Sequence, residues 1–466
     1  MATLHRQLDL KSAIALNMLE MIGVGPFITL PLIVAAMGGP QAMLGWVLGA
    51  LLAVCDGMVW AELGAAMPQA GGSYAFLQEI YGPRKAGRWV SFLFVWQFML
   101  SGPLVIASGA VGLAQYASYL WPALRRVIAT APIIGEIRST NVMAIGACLL
   151  VMALLYRNLL VIAKLARVLW AGSVLTLLVV IVAGLTHFHA RQAFSFPAGA
   201  FHLSGAFFAG LASAMLIASY DYWGYYTICF VGGEVKEPGR TIPRSVLWSI
   251  VIIAMLYLAM NTSVLGVIPW QELVKDTQGD TRYAVVAVVM QRTLGVVPAR
   301  IIALLVIWTA FGSLFAAMLG GSRVPYAAAL DGNFFKPLGH LHAKGGFPDR
   351  ALLLLGGIAC LCCLLPLATL IASMIAIRLV LTFTLQQVGV MILRVRRPEL
   401  FRPFRMWLYP LPAVAALVGS VFILTARVKA KEQLWAALIV AATGTVAYGM
   451  RAFVRGGWPF GVRGES

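Results

Sequence analysis

Apolar runs of about twenty residues, parted by short polar and basic stretches, recur along the whole chain. They predict twelve membrane helices over 14–37, 42–65, 89–110, 142–155, 168–186, 203–231, 246–267, 301–320, 351–370, 371–393, 408–425 and 434–448. The ninth and tenth adjoin, so a tight turn is required at 370–371.

Two of these segments are interrupted. The first carries Ile22-Gly23-Val24-Gly25-Pro26-Phe27. Glycine loses the most backbone entropy in a helix, and proline removes a donor and clashes with the preceding turn. In lipid the freed backbone groups find no water, so such a break is tolerated where it faces a protein-lined cavity. The break by itself admits either a binding site or a simple proline kink. The sixth segment reads Ser219-Tyr220-Asp221-Tyr222-Trp223-Gly224-Tyr225-Tyr226, with an acid, a glycine and a cluster of aromatics in mid-span. The two broken segments are five apart. Corresponding breaks in two inverted halves point to a transport site at the midplane. The halves would be 1–197 and 198–397, with 398–466 holding the last two spans and the C-terminus.

Composition agrees. The chain of 466 residues is 61% hydrophobic and 11% charged, and its mean hydropathy is +0.87. A soluble domain has about 25% charged residues. The net charge of +18 follows from loop basicity and carries no argument for nucleic acid. With the N-terminus inside, 23 Lys and Arg fall on inner segments and 11 on outer ones, while Arg378 is intramembrane. The positive-inside rule then puts both termini in the cytoplasm; the plasma membrane is the expected location. No cleavable signal pattern precedes the first span. The six cysteines all lie in apolar segments without zinc spacing, which predicts free core thiols. His187, His189, His340 and His342 lie in loops without a third ligand, so no metal is expected.

Four motifs in order carry a resemblance. Gly23-Val24-Gly25-Pro26-Phe27, then Glu62-Leu63-Gly64 through Gly71-Gly72-Ser73-Tyr74, then Glu234-Val235-Lys236-Glu237-Pro238-Gly239-Arg240, and last Ser322-Arg323 with Asp331-Gly332 and Phe347-Pro348 resemble the amino acid–polyamine–organocation superfamily of secondary transporters. The resemblance implies an all-α integral membrane fold of twelve transmembrane helices, a LeuT-like 5+5 inverted repeat plus two extra helices. It also implies alternating access, with substrate held at Gly23, Val24, Gly25, Tyr220, Asp221, Tyr222, Trp223, Gly224 and Tyr225. Amides after the first break suit a carboxylate, and carbonyls and aromatic faces of the sixth segment suit an ammonium. Pro26 departs from the family's usual Gly-Ser-Gly-Ile-Phe by removing an N–H. Asp221 departs by adding a negative charge beside the substrate, which favours a cationic substrate or a proton-binding carboxyl. Where many members have a lysine in the fifth span this chain aligns Ser173, so Thr309 or Ser313 would help hold Na⁺. No cofactor is expected beyond a coupling ion, H⁺ or Na⁺.

An ionised group at the bilayer centre costs roughly 2.5–3.5 kcal/mol on insertion scales, so each needs a partner or a task. Glu20, one turn before the break, is either a substrate or proton group or a structural hydrogen-bonding one. Asp56 is expected to be structural, Arg378 to pair with one of the acids, and Glu62 and Arg323 to join cytoplasmic networks. Gln97, Ser101 and Gly102-Pro103 are candidates to line the path. The chain therefore reads as an amino acid permease, ion-coupled or exchanging. The alternatives are a polyamine or organic-cation transporter and a non-transporting sensor. No intramembrane histidine serves an enzyme. Expected partners are the small-molecule substrate and membrane lipid; no subunit attachment is evident.

Overall fold

The computed structural model describes residues 6–83, 85–131, 135–157, 159–275, 284–343, 345–365, 377–426 and 430–454. Helix dominates, and among the described residues seven helices are long and apolar enough to cross a membrane. The helices that position the site are α1 (Leu10–Met21), α2 (Leu30–Met37), α3 (Met43–Ala66), α4 (Ala86–Leu120), α5 (Ser139–Leu155), α6 (Leu159–Thr186), α7 (Gly205–Tyr222), α8 (Thr227–Phe230), α9 (Pro238–Val267), α10 (Val296–Gly321) and α11 (Thr384–Arg396).

Both expected interruptions are real. Asp9 caps α1 by accepting from the Ser12 amide at 2.9 Å, and hydrogen bonds from Ser12 hold its carboxyl below the ordinary range. At its other end α1 stops at Ile22, and a single tight turn, Gly25–Phe27, leads into α2. The left-handed Gly38, at φ +70°, ends α2. In the sixth segment α7 stops at Tyr222, Gly224 takes φ +125°, and the short α8 follows. Only glycine adopts that φ without strain.

The two breaks pack back to back. Asn17 on α1 accepts from the Ile228 amide at the start of α8 (2.9 Å). From α9, the Tyr257 hydroxyl donates to the Met21 carbonyl at 2.6 Å. A Cβ at Gly224 would lie 2.8 Å from the Met21 amide nitrogen, so the glycine is also demanded by close approach. Around this junction the largest buried side chains are aromatic, among them Trp46, Trp60, Tyr222, Tyr225 and Tyr257. Trp46 meets both Tyr222 and Tyr257 edge-on, with centroids 5.7 and 5.5 Å away.

At one end of the bundle the motif loops are tied together. Arg323 donates to Glu234 in a buried pair at 2.9 Å, and the chain around Leu8 bridges to Val235. Glu62 accepts from Arg394 and from the Met406 amide, both at 2.8 Å. Both Glu62 and Arg323 thus enter loop networks, as expected. All six cysteines are free.

Several boundaries differ from expectation. The fifth apolar window opened at 168, but α6 begins at Leu159, so Lys164 and Arg167 lie on helix rather than loop. The third window, 89–110, sits inside the much longer α4. Hydropathy marks where lipid would end, whereas a helix ends where its hydrogen bonding or cap does. The all-α expectation also missed an antiparallel pair, β1 (Val127–Ala131) with β2 (Gly135–Arg138), in the exposed link between α4 and α5. Its β-branched Val127, Ile128 and Thr130 suit a strand. The expected turn at 370–371 and the loop charges Arg84, Arg282, Lys344, Arg427, Lys429, Arg455 and Arg463 lie outside the described residues.

Candidate functional site

Between the breaks lies a cavity of about 40 Å³. The first segment lines it with Glu20, Gly23, Val24, Gly25 and Pro26, and the sixth with Tyr220, Asp221, Trp223 and Tyr226. Val105 and Gly109 of α4, Ser313 of α10 and Arg378 of the tenth segment complete the wall. One water needs roughly 10–15 Å³ by this measure, so the site has room for a few water-sized groups.

Backbone geometry narrows the donors at the first break. The amides of Phe27, Ile28 and Thr29 turn inward to the carbonyls of Val24 and Gly25 at 2.9–3.1 Å. Pro26 has no N–H. The amides of Val24 and Gly25 have no acceptor among the described residues. Two adjacent free donors remain on the cavity wall, a pair suited to a carboxylate.

Asp221 sits directly against them. Its Oδ2 accepts from the Thr29 hydroxyl at 2.6 Å, while Oδ1 has no donor among the described residues. The side chain is 2% exposed. A Cβ on Gly25 would lie 2.0 Å from Oδ1, which explains the glycine there without any unusual φ. A buried carboxylate oxygen without a donor, beside two free amides, complements a molecule carrying an ammonium and a carboxylate on one carbon.

Among the described residues Arg378 pairs with no acid, contrary to expectation. Its Nη1 donates to the Tyr226 hydroxyl at 3.0 Å and its Nε to Ser101 at 3.3 Å. Ser101 donates on to Gln97, and Gln97 to Thr382, each at 3.0 Å. The Phe98 and Trp223 rings lie 5.7 and 6.0 Å from its Cζ. Hydroxyls and aromatic faces, not a carboxylate, hold this cation in place. Gln97 and Ser101, proposed as path residues, act instead as its support.

The remaining expected residues divide. Glu20 accepts from the Thr227 hydroxyl, and its carbonyl accepts from Ser313 at 3.2 Å. Tyr220 lines the cavity and shares a hydrogen bond with Ser108 (3.1 Å). Trp223 stacks on Phe383 at 4.9 Å. Tyr222 and Tyr225 face away from the free amides, toward a smaller cavity of about 20 Å³ that also holds Asp56 and Gln387. Tyr222 donates to the Trp46 carbonyl at 3.3 Å. Asp56 accepts from Tyr225 and Gln387, both at 2.7 Å, a structural arrangement. Ser173 and Thr309 lie outside the cavity wall: Ser173 donates to the Leu169 carbonyl (3.0 Å) and Thr309 to Leu305 (2.8 Å). His340 pairs with Asp349 at 2.7 Å, and among the described residues no cluster suits a metal. Sequence reasoning missed Thr29, Tyr226, Thr227 and Ser108. Each acts on a residue far away in the chain, so no local pattern marked it.

A helical membrane-type bundle with two helix breaks facing a small cavity that holds charged and aromatic groups defines a carrier-like binding protein. The chain belongs to the amino acid permease family, whose model matches residues 8–448. It is 25% identical over 425 residues to the serine/threonine exchanger SteT of Bacillus subtilis, covering 90% of this chain and 91% of that one. Over 427 residues it is 25% identical to the Asc-type amino acid transporter 1 of Mus musculus, covering 90% and 76%. The branched-chain amino acid permease BcaP of Lactococcus lactis is 24% identical over 415 residues, 86% of each chain.

Proposed function

We propose that the protein is a secondary active amino acid permease of the plasma membrane, working by alternating access. The observation that carries this reading is the conjunction of the free Val24 and Gly25 amides with the free Asp221 Oδ1 at one cavity. Those amides would take the substrate carboxylate, and Asp221 its ammonium. Membership of the amino acid permease family supports the same substrate class. In this reading there are twelve spans, repeated as 1–197 and 198–397 with opposite orientation, and 398–466 lies outside the repeat. Both termini are cytoplasmic. The seven long apolar helices support the multi-span architecture.

Alternating access requires the loop network around Arg323 and Glu234 to open while the cavity closes on its other side, and the reverse. A coupling ion, H⁺ or Na⁺, or a counter-substrate would bias that exchange. The polyamine alternative is not favoured. A dication would enter beside the Arg378 guanidinium, and the named relatives act on amino acids.

Uptake of radiolabelled amino acids into liposomes holding the purified protein tests the reading. Saturable uptake abolished by Asp221→Ala is the expected result. Uptake of putrescine but of no amino acid would overturn it, as would binding without translocation.

A further inference from the structure

Resting on the amino acid reading, one charged group in the cavity has no role in holding the substrate's two backbone groups. Arg378 is 6% exposed and lines the cavity. Its Nε and Nη1 are committed to Ser101 and Tyr226, and its Nη2 has no acceptor among the described residues. No carboxylate lies within 4 Å of it among those residues. We propose that Arg378 is the specificity residue for the substrate side chain, and that it selects small neutral amino acids bearing an oxygen acceptor, a hydroxyl or a carboxamide.

The argument is one of unsatisfied donors. With the carboxylate on the Val24 and Gly25 amides and the ammonium on Asp221, the substrate side chain faces the remaining wall. Arg378 is part of that wall, and Nη2 is its uncommitted nitrogen. An aliphatic side chain would cover this donor and give it nothing, and an ionised donor left unpaired is the costly case. An oxygen acceptor satisfies it.

Charge and shape narrow the class. A cationic side chain is repelled by the guanidinium. An acidic one would meet it but add a further negative charge to a cavity already lined by Glu20 and Asp221. A neutral acceptor avoids both penalties. The walls are also held against expansion: Tyr226 stacks on Trp60 at 4.5 Å, Trp223 on Phe383 at 4.9 Å, and Tyr220 is tied to Ser108. A wide helical turn over Leu379–Phe383 follows Arg378 directly. Such turns occur often at functional sites.

The test is a matched pair of substrates that differ by one hydroxyl. Uptake efficiency into liposomes is measured for L-serine against L-alanine, and for L-threonine against L-2-aminobutyrate, with the native chain, Arg378→Lys and Arg378→Met. The native chain should prefer the hydroxylated member by about ten- to a hundredfold, the range expected for a hydrogen bond from a charged donor. Arg378→Met should bring both ratios to about one, and Arg378→Lys should keep part of the preference. Thermal stabilisation by the same four ligands supplies the ratios if Arg378→Met binds but does not transport. Efficient uptake without preference by the native chain overturns the proposal, as does a preference that survives Arg378→Met. Should Arg378→Met not fold, the native ratios and those of Arg378→Lys decide. Failure of the native chain to take up any amino acid overturns the permease reading itself, a result distinct from unselective uptake.

Discussion

Asp221 Oδ1 occupies the space where a side chain on Gly25 would begin, 2.0 Å from an ideal Cβ. Two helix breaks far apart in the chain are thus fitted to each other at a single atom. Alanine at 25 must push a buried carboxylate that is already fixed at its other oxygen by Thr29. Gly25→Ala is therefore expected to destabilise by about 1–3 kcal/mol, the usual range for overpacking, and to reduce amino acid uptake at least tenfold. Combining it with Asp221→Gly should recover stability but not uptake. Thermal unfolding and uptake on the native chain and the two variants measure both, and a Gly25→Ala protein indistinguishable from native would refute the fit.

Thr29 offers a test of how the acid is held. Its hydroxyl is the only donor to the Asp221 carboxylate among the described residues. Thr29→Val keeps the shape and leaves both carboxylate oxygens without a donor. The expected cost is about 1.5–3 kcal/mol, read as a lower unfolding midpoint. Bound substrate should restore part of that loss through the ammonium, so the gap between native and variant narrows at saturating amino acid. An equal gap with and without substrate would argue that Asp221 does not meet the ammonium.

The other acid behaves differently. Asp56 is closed on both oxygens by Tyr225 and Gln387 and lies away from the free amides. Tyr225→Phe should lower stability by about 1–3 kcal/mol and leave the order of preference among amino acid substrates unchanged. A changed order of preference would return Tyr225 and Asp56 to the binding site, where the sequence had put Tyr225.

Much of this was written in the local chemistry of the chain. Gly23, Gly25 and Pro26 announce a break, and Gly224 among aromatics announces its partner, because backbone chemistry is local. The orphaned Asp221 was visible for the same reason: an acid in mid-span is costly wherever it points. The direction of side chains was not visible. Tyr222 and Trp223 are neighbours, yet one turns to Trp46 and the other to the cavity, since the helix ends between them. Arg378 was expected on an acid because charge is easy to count. Its partners, Ser101 and Tyr226, are neutral and come from other segments. Helix ends were misplaced wherever hydrogen bonding outlasts hydropathy, as at Leu159.

Arg323 and Glu234 give the last prediction, one about motion. Both are almost fully buried, at 4% and 1% side-chain exposure, and Arg323 also donates to the Leu319 carbonyl at 3.0 Å. Loss of one partner leaves a buried charge unpaired, an expected cost of about 3–5 kcal/mol, while replacing both with apolar residues of similar size should cost far less. If this pair latches one end of the transport path, the double variant Glu234→Leu with Arg323→Met will hold its stability yet favour the state open at that end. A cysteine introduced at the buried Ala327, on the wall of the adjoining cavity of about 900 Å³, in a chain whose six native cysteines are replaced by serine or alanine, reports that opening by its rate of maleimide labelling. Faster labelling in the double variant, with uptake reduced at unchanged thermal stability, is the expected outcome. Unchanged labelling would make the pair a structural clamp, with no part in the opening of the path.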